Sequence, residues 1–128
     1  MKGFLEGKNI VITGAGSGIG KAIAIATAKE GANIVVADYG VALDGSEPTS
    51  EIAESTSEEI RAFGVEAIPV AGDVSKMETG EQVISAAVEN WGSVDGVVCV
   101  AGILRERMLF NMSEDEWDAV IAVHLKGH

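Results

Sequence analysis

The sequence predicts an α/β protein: a doubly wound parallel sheet of about four strands in the order 3-2-1-4, with helices on both faces. Three observations carry this expectation. Short β-branched apolar runs alternate with longer helical patterns, in the order β-α-β-α-β-α-β-α, and such alternation implies parallel strands joined by right-handed crossovers. The runs are apolar at consecutive positions, as in strands covered on both faces. Four glycines fall within seven residues, Gly14 to Gly20, where the first run meets the first helical pattern.

Each element has its own signal. Asn9 to Gly14 (NIVITG) is the first strand. Ile19 to Glu30, rich in alanine with apolar residues at helical spacing, is the first helix, closed by Gly31. Asn33 to Asp38 (NIVVAD) is the second strand. A polar loop from Tyr39 to Ser50 follows, punctuated by Gly40, Gly45 and Pro48. A helix is expected from about Thr49 to Phe63, stopped by Gly64, and a third strand over Glu66 to Gly72. Ser75 and Glu78 have the spacing of a capping box, opening a helix that ends near Trp91 and Gly92. Val94 to Gly102 is the fourth strand. Ser113 and Glu116 form a second capping-box pattern ahead of the helical stretch WDAVIAVHLKG.

The bulk composition bounds the function. The chain has 128 residues, 47% hydrophobic and 23% charged, with a formal net charge of −11. That length suits one domain with one core. The acidic balance argues against a general nucleic-acid or anionic-membrane surface, yet leaves room for phosphate bound by backbone amides. A single cysteine, Cys99, permits no internal disulfide and fits a reducing cytosol. Its apolar neighbours predict a small buried hydrophobe there. No apolar stretch reaches the ~18 residues of a membrane span, and Glu6, Lys8 and Asn9 interrupt any signal-peptide core. The expected compartment is the cytoplasm.

The glycine cluster has a physical reading. Gly14 supplies the φ of a sharp strand-to-helix turn. Gly18 removes a side chain where a pyrophosphate approaches backbone, and Gly20 lets the helix pack closely. The free amides and dipole of the first helical turn then face phosphate oxygens. A phosphate loop of the Gly-Lys-Ser/Thr kind is excluded, because Lys21 is followed by alanine. Asp38 ends the second strand, 24 residues after Gly14, where a carboxylate accepts hydrogen bonds from a ribose diol and repels a 2′-phosphate. NAD is therefore expected over NADP. Asp73, after the third strand, has two readings: a hydrogen bond to an adenine amino group, or a cap on the next helix.

Taken together, Thr13 to Gly20 (TGAGSGIG), Asp38, Asp73-Val74 and Ala101-Gly102 resemble the short-chain dehydrogenase/reductase family, over Lys8 to Gly127. Within it, the segment from Ala101 to His128 is similar to the branch holding the hydroxyacyl-CoA dehydrogenase unit of multifunctional β-oxidation enzymes. The resemblance implies a Rossmann-like fold and residue roles. Gly14, Ser17, Gly18, Ile19 and Gly20 would line the pyrophosphate and ribose, Asp38 would select NAD, and Asp73 with the Val74 backbone would hold adenine. Cys99, Ala101 and Gly102 would lie along the adenosine and nicotinamide ribose. Cys99 and Val100 stand where the family usually has two asparagines, which implies fewer hydrogen bonds behind the cofactor loop. His124 stands at the asparagine position of the catalytic tetrad; its other reading is a helix residue that packs locally.

No residue of the chain is assigned to catalysis or to a metal. The family's catalytic serine and Tyr-x-x-x-Lys are expected beyond the end of the chain, since the only tyrosine, Tyr39, has no lysine four residues on. Arg105 and Arg107 read as solvated loop charges, because guanidinium does not give up its proton. The chain is therefore expected to be a single dinucleotide-binding domain, 1–128, truncated before the catalytic residues and binding NAD without turnover. Its full-length parent would be a homo-oligomeric oxidoreductase acting on a small-molecule secondary alcohol or ketone, with a 3-hydroxyacyl thioester one such substrate. The alternative is a stand-alone NAD-binding module or sensor; a third is complementation by a second polypeptide. The apolar edge VVCV of strand four is expected to make the isolated chain self-associate.

Overall fold

The computed structural model describes residues 3–41, 46 and 48–128. Its elements are β1 (Asn9–Thr13), α1 (Gly18–Lys29), β2 (Asn33–Ala37), α2 (Glu51–Arg61), β3 (Ala67–Val70), α3 (Met77–Trp91), β4 (Gly96–Cys99) and α4 (Glu114–Ile121). The sheet is parallel with order β3-β2-β1-β4, as the alternation of runs predicts. Of the polar loop expected between Tyr39 and Ser50, residues 42–45 and 47 lie outside the described residues.

Burial explains why the strands read as unbroken apolar runs. All five residues of β1 are buried, because helices cover both faces of the sheet centre. One face sends Ile10, Ile12, Ile34 and Val36 against Ala24 and Ala28 of α1 and Ala53 and Ile60 of α2. The other sends Val11, Val35 and Ala37 against Val83 and Ala87 of α3. Each fully buried Ile or Val contributes about 2 kcal/mol of transfer free energy. The alanines of α1 let that helix approach the sheet closely. Gly31, Gly64 and Gly92, each with a positive φ, follow α1, α2 and α3 at the stops the sequence marks.

Strand β4 is shorter than the expected Val94–Gly102 and is a sheet edge. The Thr13 hydroxyl ends it: its oxygen accepts the amides of Val100 (3.1 Å) and Ala101 (3.3 Å), which then leave the ladder. Cys99 corrects an expectation. It is exposed, not buried, because it lies in register with Thr13, two residues beyond the Val11–Val97 pair. That face is covered by α3 over β1 and β2 but not over β4, where Val97 is 52% exposed.

The two capping-box patterns part company. Ser113 caps α4 as expected: its Oγ accepts the Glu116 amide (3.2 Å), and Glu116 accepts the Ser113 amide in return (3.3 Å). Ser75 does not cap α3. Its amide and hydroxyl both donate to Asp73 Oδ1, at 2.9 and 2.7 Å, and α3 begins after Lys76 with no side-chain cap. Asp73, two residues upstream, takes the serine that a box would need. Helix α4 continues into a π-helical turn, Ala122–Lys126, closed by Gly127 N–H donating to Ala122 O (2.9 Å). Among the described residues no helix is long and apolar enough to cross a membrane.

The Glu116 carboxyl is held below its ordinary value, first by the hydrogen bond from Arg107 Nε at 2.9 Å, against a weaker opposing effect of desolvation, and with further help from Ser113. A depressed folded-state value means that the carboxylate's contribution is present above the unfolded value and is lost as pH falls through the folded one. The start of α4 is therefore expected to loosen in acid, below the ordinary glutamate value of about 4.3. Amide shifts of Ser113 and Glu116 followed by NMR should move together in that range; a titration at or above the ordinary value would contradict it.

Candidate functional site

The site is built where β1 turns into α1. Gly14 has φ +68°, and a Cβ there would stand 2.8 Å from the backbone of Ala101, so the turn and the closeness of the segment that follows β4 both demand glycine. Gly20 seats the first turn of α1 on the carbonyl of Gly14, where a Cβ has no room. A Cβ on Gly18 would meet nothing within 4 Å; it faces open space. Ser17 precedes α1 in extended conformation with no side-chain hydrogen bond to the helix, which leaves the first-turn amides without a cap from the protein.

Beside this loop lies a cleft of about 530 Å³ at the carboxyl ends of the strands, the edge at which open α/β sheets bind ligands. Ten of the eleven residues expected from the sequence line it: Gly14, Ser17, Gly18, Ile19, Gly20, Asp38, Asp73, Val74, Ala101 and Gly102. Cys99 does not; the strand's alternation turns it away, and Val100 takes the place beside Ala101. Arg105 is a second correction. Expected as a solvated charge, it lines the cleft, whereas Arg107 pairs with Glu116 at the surface. Tyr39, Val41, Ser75, Ile103 and Val123 complete parts of the wall that the sequence did not mark; they belong to loops and a helix brought in by topology, and no spacing announces them.

The carboxylate of Asp38 holds the loop as well as facing the cleft. Oδ2 accepts the Gly16 amide at 2.8 Å, and Oδ1 accepts the Gly40 amide at 2.6 Å. Asp73 has a similar double position: Oδ1 is occupied by Ser75, and the side chain borders the cleft. Its hydrogen bonds organise the loop before α3 without reaching the helix end, so the capping reading is replaced by an Asx turn.

His124 does not pack within its own helix but against a segment 21 residues earlier in the chain. Its Nε2 lies 2.9 Å from Ile103 O and 3.1 Å from Ile103 N, two contacts that different tautomers satisfy. Its ring fills the space a Cβ on Gly102 would need, 2.6 Å from the nearest ring carbon. His124 thereby braces the segment Gly102–Ile103 from behind the cleft.

A family model described as short chain dehydrogenase matches residues 8–128. The chain is 48% identical over 124 residues to the hydroxyacyl-CoA dehydrogenase ChsB1 of Mycobacterium tuberculosis, covering 97% of this chain and 38% of that protein. It is 37% identical over 122 residues to mouse peroxisomal multifunctional enzyme type 2, covering 95% of this chain and 16% of that one. Among solved structures, a short chain dehydrogenase from Mycobacterium avium superposes with a TM-score of 0.88 at 50% identity, over 98% of this chain and 44% of its own. The chain thus spans less than half the length of these relatives. The hydroxyacyl-CoA dehydrogenase and the multifunctional enzyme carry the names of the branch that the residues from Ala101 to His128 resemble.

Proposed function

The chain belongs to the short-chain dehydrogenase family, a family of oxidoreductases, and on that premise we propose that its cleft holds a nicotinamide dinucleotide, NAD in preference to NADP. The observation that carries the reading is the open, side-chain-free face of Gly18 beside the uncapped first turn of α1. A methyl group there would stand where phosphate oxygens reach the amides. The residues fit the group from end to end. Asp38 would take the adenosine ribose, and Asp73 with the Val74 backbone would border the adenine. Gly14, Ser17, Gly18, Ile19 and Gly20 would surround the pyrophosphate, and Ala101 and Gly102 would run beside the nicotinamide ribose. Cys99 is left out of this set.

Bound there, the nicotinamide ring supplies a hydride acceptor or donor for a secondary alcohol or ketone. Ala101 and Gly102, which line the cleft, would orient it from this chain's side. Hydride transfer to a carbonyl also needs a proton at the developing alkoxide, and the chain carries one tyrosine and no Tyr-x-x-x-Lys. We therefore assign these 128 residues the binding role, without turnover. We assign the oxidoreductase step, with a 3-hydroxyacyl thioester as substrate class, to the longer protein whose relatives the chain matches in part.

Calorimetry on the chain tests the reading. NAD should bind about tenfold more tightly than NADP, because a 2′-phosphate near a partly solvated carboxylate meets a repulsion of about 1–2 kcal/mol. Equal affinities would remove the cofactor preference, and binding of neither would remove the function.

A further inference from the structure

We propose that Thr56 is a positioning residue for the glycine loop, one that turns the Ser17 amide toward the cleft; the proposal rests on reading that cleft as a dinucleotide site. Thr56 lies in α2, 40 residues from the loop, and is 1% exposed. Its hydroxyl donates to the carbonyl oxygen of Gly16 at 3.2 Å. That carbonyl and the Ser17 N–H belong to one planar trans peptide and point in opposite directions. Drawing the oxygen into the buried side against α2 sends the N–H the other way, to the side on which Ser17 lines the cleft.

Two further contacts make this a built arrangement. The Gly16 amide donates to Asp38 Oδ2 at 2.8 Å, which orients the preceding peptide. Ile52 Cγ2 sits where a Cβ on Gly16 would stand, so α2 is seated directly on the loop. Two consecutive peptide planes are therefore set by side chains from outside the loop, one from the end of β2 and one from α2. A threonine or serine inside a helix ordinarily returns its proton to the carbonyl four residues back. Neighbouring Ser57 does so, donating to Ala53 O at 2.8 Å. Thr56 instead directs its proton across to the loop. An amide aimed in this way meets a phosphate oxygen without the loop having to reorganise on binding.

Threonine-to-valine exchange at this position removes the hydroxyl and keeps the branched shape, and the probes are ADP, which has the pyrophosphate, and adenosine, which lacks it. NMR titration of the chain should show Thr56→Val binding ADP about fivefold to tenfold more weakly, the worth of one hydrogen bond. Adenosine affinity should not change, and Thr56→Ser should restore ADP binding. Loss of ADP and adenosine affinity in parallel, or of neither, overturns the proposal. A measurement on the unmodified chain stands independently of whether the variant folds: the Ser17 amide proton should shift on ADP addition, and an unmoved Ser17 signal at saturation overturns it. If the unmodified chain binds neither ADP nor NAD, the dinucleotide reading fails and this proposal with it. If it binds both and only the Thr56 comparison fails, the dinucleotide reading stands alone.

Discussion

Asp38→Ala is expected to weaken NAD binding by about tenfold to a hundredfold while leaving NADP binding little changed, so that the preference for NAD disappears or reverses. Two effects add. The carboxylate that would accept ribose hydroxyls and repel a 2′-phosphate is gone, and charge-assisted hydrogen bonds of this kind are worth about 1.5–3 kcal/mol. The amides of Gly16 and Gly40 also lose their shared acceptor, so the glycine loop is less firmly held. Asp38→Asn separates the two: it keeps an acceptor oxygen for Gly16 but carries no charge. Its NAD affinity should lie between wild type and alanine, with the NADP penalty already lost. Calorimetry with both dinucleotides on the three proteins reads the outcome, and an unchanged NAD/NADP ratio in Asp38→Ala would take the residue out of the specificity argument.

The second large effect distinguishes two glycines that look alike in the sequence. Gly14→Ala is expected to destabilise the fold by about 2–4 kcal/mol. The left-handed φ costs about 1–2 kcal/mol for any other L-residue, and a Cβ at 2.8 Å from the Ala101 backbone forces β4 and the loop apart. Gly18→Ala should cost only the first of these, since its Cβ enters open space with φ +55°. Its methyl group stands on the cleft side, however, so dinucleotide affinity should fall tenfold or more, as an order of magnitude for blocking one phosphate contact. Thermal unfolding followed by circular dichroism, beside NAD titration, should show Gly14→Ala failing in stability and Gly18→Ala failing in binding. The opposite order would mean that Gly18 packs against protein and that the crevice lies elsewhere.

The same comparison shows how far the sequence could be read. The sequence assigns the two glycines different tasks, a turn φ at Gly14 and a bare approach at Gly18; the close contact with Ala101 at the first and the empty space at the second are visible only in the structure. The pattern Ser-x-x-Glu occurs twice and caps once. At Ser113 the box forms; at Ser75 the carboxylate of Asp73 takes the same hydroxyl and amide first. Arg105 and Arg107 are two residues apart on one loop, and one lines the cleft while the other pairs with Glu116. Thr56 left no trace in the sequence: it is one polar residue in a polar helix, and its partner is 40 positions away.

What the residues alone determined is the order of elements, the parallel sheet 3-2-1-4 and the position of the glycine loop at the first strand-to-helix turn. These follow from local physics: β-branched runs, helical periodicity and glycine at a turn act over a few neighbouring residues. Tertiary structure alone decided which face of β4 lies bare, and hence that Cys99 is exposed and absent from the cleft. It also decided which carboxylates brace the loop, and that α2 sets the direction of the Ser17 amide. Those outcomes depend on which helix covers which strand and on hydrogen bonds between residues far apart in the chain, and no short-range pattern encodes either.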